Sequence, residues 1–241
     1  MTIKKYIPNT FTMANIMCGC LATLFAINNQ LDWAAGFVVV GVFFDFFDGF
    51  FARLFKVQSE LGLQLDSLAD MITSGLVPGI IMYKLLGEAV GTPWGDTLSH
   101  AYFYVPYLGF AITLASAYRL AKFNIDTEQS NSFIGLPTPA NTLLILSIPL
   151  ILLYEEYAFA EALFTNTYVL LVITAISCWL LNARIPLFAL KFKTWNVADN
   201  KVRYIFLILT VLALAIFHYL GVMISIVGYV VLSLLFREKQ K

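Results

Sequence analysis

The sequence predicts an all-α fold, a polytopic membrane helix bundle of about eight transmembrane helices. Three observations predict it. First, of 241 residues 60% are hydrophobic and 12% charged, about half the charged share of soluble domains. With a mean hydropathy of +0.80, a soluble fold of this length has no way to hide its apolar surface, so most of the chain belongs in a bilayer. Second, apolar runs of near-spanning length recur from one end to the other. Third, the positive charges gather at one set of helix ends. The 15 Lys+Arg balance 15 Asp+Glu, so no basic surface asks for nucleic acid. Cys18 and Cys20 are not in redox or zinc spacing, and with Cys178 they read as small packing residues.

A helix rises 1.5 Å per residue, so about 20 residues cross the hydrocarbon. The runs are 9–28, 33–56, 66–86, 101–122, 138–154, 166–183, 203–219 and 221–237. The first follows Lys4 and Lys5 and is interrupted by Asn15, and it reads as a retained span rather than a cleaved leader. The fifth and the last two are short. The seventh and eighth meet tightly near Tyr219, Leu220 and Gly221, where they resemble one long helix. Residues 1–241 form a single integral membrane domain with no soluble part.

One set of helix ends carries 14 of the 15 positive residues, from Lys4 and Lys5 through Arg53, Lys56, Arg119, Lys122, Arg184 and the 191–203 group to Arg237, Lys239 and Lys241. The other set has only Lys84, together with Glu88, Asp96, Glu155, Glu156 and Glu161. Positive residues mark the cytoplasmic side, so both termini are expected there, in a cell (inner) membrane.

Spans two and three hold the chemistry. Asp45 lies deep in an aliphatic and aromatic run with Asp48 three residues on. A carboxylate within a membrane helix costs ~2.5–3.5 kcal/mol unless paired or hydrated. At about 100° per residue the two lie about 60° apart, on a stripe shared with Gly41, Gly49, Ala52 and Lys56. Asp66 and Asp70, four apart, share a face of the next span, with Gly62 and Ser59 on the turns before them. The loop between is short, so the two helices are antiparallel neighbours and four carboxylates converge near the cytoplasmic end. Like charges ~4 Å apart repel by about 4 kcal/mol at an effective dielectric of 20. Cations or protons must relieve this, and an all-oxygen donor set favours hard ions such as Mg²⁺, Mn²⁺ or Ca²⁺. Two adjacent metals clamping a phosphate suit such a box.

Written out, the stretch is Asp45-Phe-Phe-Asp48-Gly49-Phe-Phe-Ala52-Arg53, eight residues, Gly62, three residues, Asp66, three residues, Asp70. It resembles the signature of the CDP-alcohol phosphatidyltransferase family, every position filled. The resemblance covers about residues 5 to 185 and implies a six-helix catalytic core (1–185) around a cytoplasm-facing polar cavity, with a cytoplasmic loop and two further helices in 186–241. Within the family, Tyr118 to Asn124 and Phe133 to Asn141 resemble the branch that uses serine. Ile7 to Thr12 and Asn15 suit the family's first helix.

The resemblance implies CDP-diacylglycerol as donor, L-serine as acceptor, CMP as leaving group and two divalent ions, Mg²⁺ or Mn²⁺, as cofactors. It implies Asp45, Asp48, Asp66 and Asp70 as metal ligands, with Asp70 also the general base. Gly49 and Ala52 let the nucleotide approach the helix backbone, Arg53 can fork onto phosphate, and Ser59 and Gly62 occupy a turn suited to a cytidine or phosphate contact. Asn9 and Thr12 are weaker donor contacts. Arg119 and Lys122, three apart at a cytoplasmic helix end, supply cations for serine's carboxylate, although basic residues there also fix topology by snorkelling. The 135–139 turn is a candidate closure over the cavity, its alternative being an ordinary turn before a helix. Gly75, Pro78 and Gly79 are explained by close packing or a kink.

Rivals remain. Sister enzymes take glycerol 3-phosphate or inositol phosphate, acceptors that call for more basic residues around the cavity. A divalent-cation transporter needs polar groups through the full depth, whereas these acids cluster at one end. A scaffold leaves the cost of four acids unexplained. Oligomeric state, a homodimer included, is left open.

Overall fold

In a computed structural model, residues 6–92, 102–125, 133–188, 196 and 200–236 are described. The helices are α1 (Ile7–Ile27), α2 (Leu31–Leu54), α3 (Glu60–Asp70), a π turn (Met71–Leu76), α4 (Val77–Ala89), a 3₁₀ turn (Pro106–Phe110), α5 (Ala111–Ile125), α6 (Thr138–Tyr154), α7 (Ala158–Phe164), α8 (Thr167–Asn182) and α9 (Lys201–Leu235). Two short strands, β1 (Phe133–Ile134) and β2 (Pro186–Leu187), pair antiparallel with Phe133 opposite Leu187. Among the described residues the fold is all-helical apart from this ladder. Lys4, Lys5, Asp96, Lys191, Lys193, Arg237, Lys239 and Lys241 lie outside the described residues.

Among the described residues, four helical stretches are long and apolar enough to cross a membrane: α1, α2, the continuous 60–89 helix and α9; α7 with α8, bent by 75°, makes a fifth if the pair is one span. The chain is an integral membrane protein. The 60–89 helix is its axis, 56% buried over its most apolar window, while α9 is only 17% buried and shows its flanks to lipid. Gly19 and Gly41 let α1 and α2 close on the π turn. A Cβ on Gly41 would fall 2.8 Å from Asn15 Oδ1 and 2.9 Å from Thr73 Cγ2. Deeper, Ala22, Ala26, Ala34, Val38, Ile81 and Leu86 fill the core with little or no exposure.

Several expected boundaries move. The third span starts earlier, because Ser59 caps α3 by accepting the Gly62 amide at 3.1 Å. The fourth is interrupted: Pro106 opens a 3₁₀ turn, and Gly109 lies against the Tyr83 backbone, where a Cβ would come within 2.9 Å of Tyr83 Cα. The sixth keeps its expected start: Asn166 caps α8, its side chain accepting the Tyr168 amide at 2.9 Å. The last two spans are two helical arms of α9 that meet at a break at His218 (φ 42°, ψ −110°). There the chain folds back so tightly that a Cβ on Gly221 would strike the Ala213 carbonyl. Glu155 Oε1 accepts the amides of Tyr219 (2.8 Å) and Leu220 (3.2 Å), satisfying the restarted helix. On the opposite side of the bundle, Leu136, Leu187, Phe206 and Tyr229 pack this hairpin onto the core.

Candidate metal and nucleotide site

Of the four carboxylates expected to converge, three form a tight group. Asp45 and Asp48 project from α2, Asp66 from α3, and one oxygen of each lies within 4.8 Å of the others. Asp48 is buried and Asp45 and Asp66 are half-buried. Thr12 on α1 donates its hydroxyl to Asp48 Oδ2 at 2.6 Å, which holds the carboxylate in place. Three unscreened carboxylates this close repel strongly. Their all-oxygen donor set fits a hard divalent cation. Asp70, one turn beyond Asp66, is outside that trio but within electrostatic reach of Asp45 and Asp66.

Beside the trio a cavity of about 450 Å³ opens between α1, the end of α2 and the start of α3. Six of the expected donor residues line it, Asn9, Thr12, Gly49, Ala52, Ser59 and Gly62, with Asp48 and Asp66 on its wall. Arg53 is exposed, and its guanidinium lies over Gly49, where a Cβ would come within 3.3 Å of Nη1. Gly49 therefore makes room for the arginine as well as for a ligand. The Ser59 hydroxyl is engaged as the α3 cap, and Gly62 sits against it, 3.2 Å from a would-be Cβ. Pro8, Val57, Gln58, Glu60 and Leu63 also line the cavity and were not singled out from sequence. Only their place beside the signature hinted at them.

The expected acceptor side is assembled by different helices. Arg119, half-buried on α5, interacts electrostatically with Asp70, and its Nε is buried without a hydrogen-bond partner among the described residues. Asn124 sets that placement: its Oδ1 accepts from Ser67 at 2.9 Å and its Nδ2 donates to Gln64 at 3.2 Å, tying α5 to α3. Lys122 is half-buried one turn on, and no contact to the carboxylates is recorded for it among the described residues. The 135–139 turn is seated rather than poised to close. Gly135 (φ 77°) donates its amide to Ile185 O at 2.9 Å, Leu136 donates to Leu180 O at 2.8 Å, and a Cβ on Gly135 would clash with the end of α8. The turn delivers Thr138, whose hydroxyl donates to Asp70 Oδ2 at 3.4 Å, a contact unforeseen from sequence.

A bundle of apolar helices gathers three carboxylates that could hold a metal ion, with a cavity alongside. Residues 5–180 match the CDP-alcohol phosphatidyltransferase family, and the chain belongs to it. The CDP-diacylglycerol–serine O-phosphatidyltransferase of Helicobacter pylori (strain ATCC 700392 / 26695) is 35% identical over 204 residues, 79% of this chain and 75% of that protein. The enzyme of the same name from Bacillus subtilis (strain 168) is 33% identical over 139 residues, 56% of this chain and 70% of its own. An archaetidylserine synthase from Methanothermobacter thermautotrophicus is 31% identical over 156 residues, 64% and 62% of the two chains.

Proposed function

We propose that this chain transfers the phosphatidyl group of CDP-diacylglycerol to the hydroxyl of L-serine, giving phosphatidylserine and CMP. The observation that carries the reading is the Asp45, Asp48 and Asp66 cluster on the wall of a cavity lined by the rest of the signature. Two bacterial relatives named for this reaction support serine as acceptor.

Asp45, Asp48, Asp66 and Asp70 hold two divalent ions. Mg²⁺ or Mn²⁺ bound there supplies the positive charge that draws in the donor's pyrophosphate and offsets the charge spread during transfer. The nucleotide lies in the cavity against Gly49 and Ala52, with Asn9, Thr12, Ser59 and Gly62 around it and the Arg53 fork on phosphate. The diacylglycerol tails remain in the bilayer. Arg119, with Lys122 behind it, binds the serine carboxylate and brings the hydroxyl to Asp70. As the serine oxygen bonds to phosphorus, the phosphorus–oxygen bond to CMP breaks and the hydroxyl proton passes to Asp70.

Eight spans carry this site, six of them in a 1–185 catalytic core, with 186–241 adding a loop and two helices. The break of α9 at His218 supports the last pair. The site and both termini face the cytoplasm of a cell membrane, as the charge bias argues. Externally added thiol reagent then labels a single cysteine placed at Asp96 but not one at Lys193; the reverse pattern overturns the orientation. The activity itself is tested by CMP release from CDP-diacylglycerol with serine, glycerol 3-phosphate and inositol phosphate. Release only with a phosphorylated alcohol would move the chain to a sister reaction.

A further inference from the structure

The run Gly75-Leu76-Val77-Pro78-Gly79 lies directly behind Asp70. Pro78 has no amide hydrogen, so the carbonyl four residues back, that of Ser74, loses its helical donor, and the proline ring crowds it as well. Over this stretch the backbone widens into the π turn Met71–Leu76, closed by the Val77 amide donating to Ile72 O. Such turns are rare inside α-helices and frequent at functional sites.

Side chains from neighbouring helices take up the loosened groups. Thr142 on α6 donates to Ser74 O at 2.8 Å, and Thr113 on α5 donates to Gly75 O at 3.0 Å. Thr73, inside the turn, donates to Asn15 Oδ1 on α1 at 2.8 Å. Gly79 is what admits Thr113, because any Cβ there would collide with its hydroxyl. The Thr142 hydroxyl also lies 2.9 Å from Thr138 O in its own helix. The hydroxyl has a single proton to give, and of the two acceptors Ser74 O is the one whose α-helical donor Pro78 removes. Ser74 and Thr142 are both fully buried, away from any competing water.

The two helices therefore meet at two rungs, Thr138 to Asp70 and Thr142 to Ser74, each pair four residues along its own helix. We propose that Thr142, aided by Thr113, is a positioning residue for the reaction. By holding the π turn next to Pro78, it fixes the height and rotation of Asp70 against the acceptor hydroxyl. The inference rests on the reading of Asp70 as proton acceptor. The donor cavity is built from α1, the end of α2 and the start of α3, all before the π turn. Loss of Thr142 should therefore slow turnover and leave donor binding alone.

The test uses the full chain in lipid nanodiscs, with rates expressed per mole of folded protein. Thr142→Val keeps the shape and removes the donor. Its kcat should fall roughly three- to tenfold, the scale of one buried hydrogen bond, with the KM for CDP-diacylglycerol unchanged. Thr142→Ser returns the hydroxyl and should restore kcat. In Thr142→Val combined with Pro78→Ala, the new amide at 78 can serve Ser74 O, so the double variant should turn over faster than Thr142→Val alone. An active wild type with Thr142→Val at the same kcat sinks this inference alone, as does a loss that Thr142→Ser shares or that Pro78→Ala fails to relieve. A rise in donor KM equal to the fall in kcat also overturns it, because that is the mark of a bundle loosened throughout. A wild type that releases no CMP with any alcohol sinks the enzymatic reading and this inference together.

Discussion

The proposed donor side and the proposed acceptor side of the site are built in different ways. The donor side is local: Asp45 to Asp66 lie within one helical hairpin, and α1 adds Asn9 and Thr12 across a short link. The acceptor side is assembled from afar. Arg119 comes from α5 and Thr138 from α6, and each is held near Asp70 by bonds to other helices, Asn124 to α3 and the Gly135 turn to the end of α8. Asp70 belongs to both, at the seam between the Asp66 turn and the π turn. The lesson is that donor chemistry depends on spacing along a helix, whereas acceptor choice depends on how helices pack. Substitutions on the two sides should therefore fail differently.

The largest effect should come from emptying the donor side. Chelation should abolish CMP release, and added Mg²⁺ or Mn²⁺ should restore it, since in the proposed function an anionic donor can approach the clustered carboxylates only when their charge is offset. Full activity in excess chelator, with metal absence verified by elemental analysis, would contradict this. Asp45→Asn should weaken metal and donor binding together. Asp70→Asn, at the seam, keeps an oxygen that can still ligate but loses the proton acceptor. Turnover should drop by roughly 10²–10⁴-fold, the usual scale for general-base loss, with a much smaller change in donor affinity. If Asp70→Asn fails only by losing metal, the proton goes elsewhere and the seam belongs to the donor side.

The same division explains what was legible in the sequence. The signature could be read because a helix converts spacing into direction: Asp45 and Asp48, and Asp66 and Asp70, had to share faces, and the short link at Phe55 to Ser59 had to make the two helices neighbours. Ser59 and Gly62 were picked out for the same reason, although the structure gives Ser59 a capping bond that its type also suits. Gln58 and Glu60 line the cavity without any residue-type signal. The Thr138 contact to Asp70, the β1–β2 ladder and the 75° bend between α7 and α8 arise from tertiary packing, which the periodicity of one segment does not encode. The π turn had a trace in Pro78 and its flanking glycines, but its partners Thr113 and Thr142 lie far along the chain.

On the acceptor side the effect should be smaller and selective. Arg119→Ala should raise the KM for serine more than that for CDP-diacylglycerol, because the proposed function gives serine's carboxylate to the guanidinium that interacts with Asp70. Arg119→Lys should recover part of the loss, a point charge without the planar fork. A selective loss of donor affinity would transfer Arg119 to the donor side and erase the division.

The smallest effect tests the boundary from the donor side. Ser59 lines the cavity, yet its hydroxyl accepts the Gly62 amide and so caps α3. If capping is its role, Ser59→Ala frays the first turn of α3 and displaces Gly62 from the cavity wall. A cap of this type contributes about 1 kcal/mol, which limits the loss of donor affinity to roughly fivefold, with kcat and the KM for serine unmoved. Asparagine caps as well as serine does, so Ser59→Asn should restore donor affinity despite its different shape. A direct hydroxyl contact to the nucleotide predicts the opposite, with Ser59→Asn no better than Ser59→Ala. Measuring CDP-diacylglycerol KM for the two variants side by side decides between a residue that touches the ligand and one that shapes the turn the ligand meets.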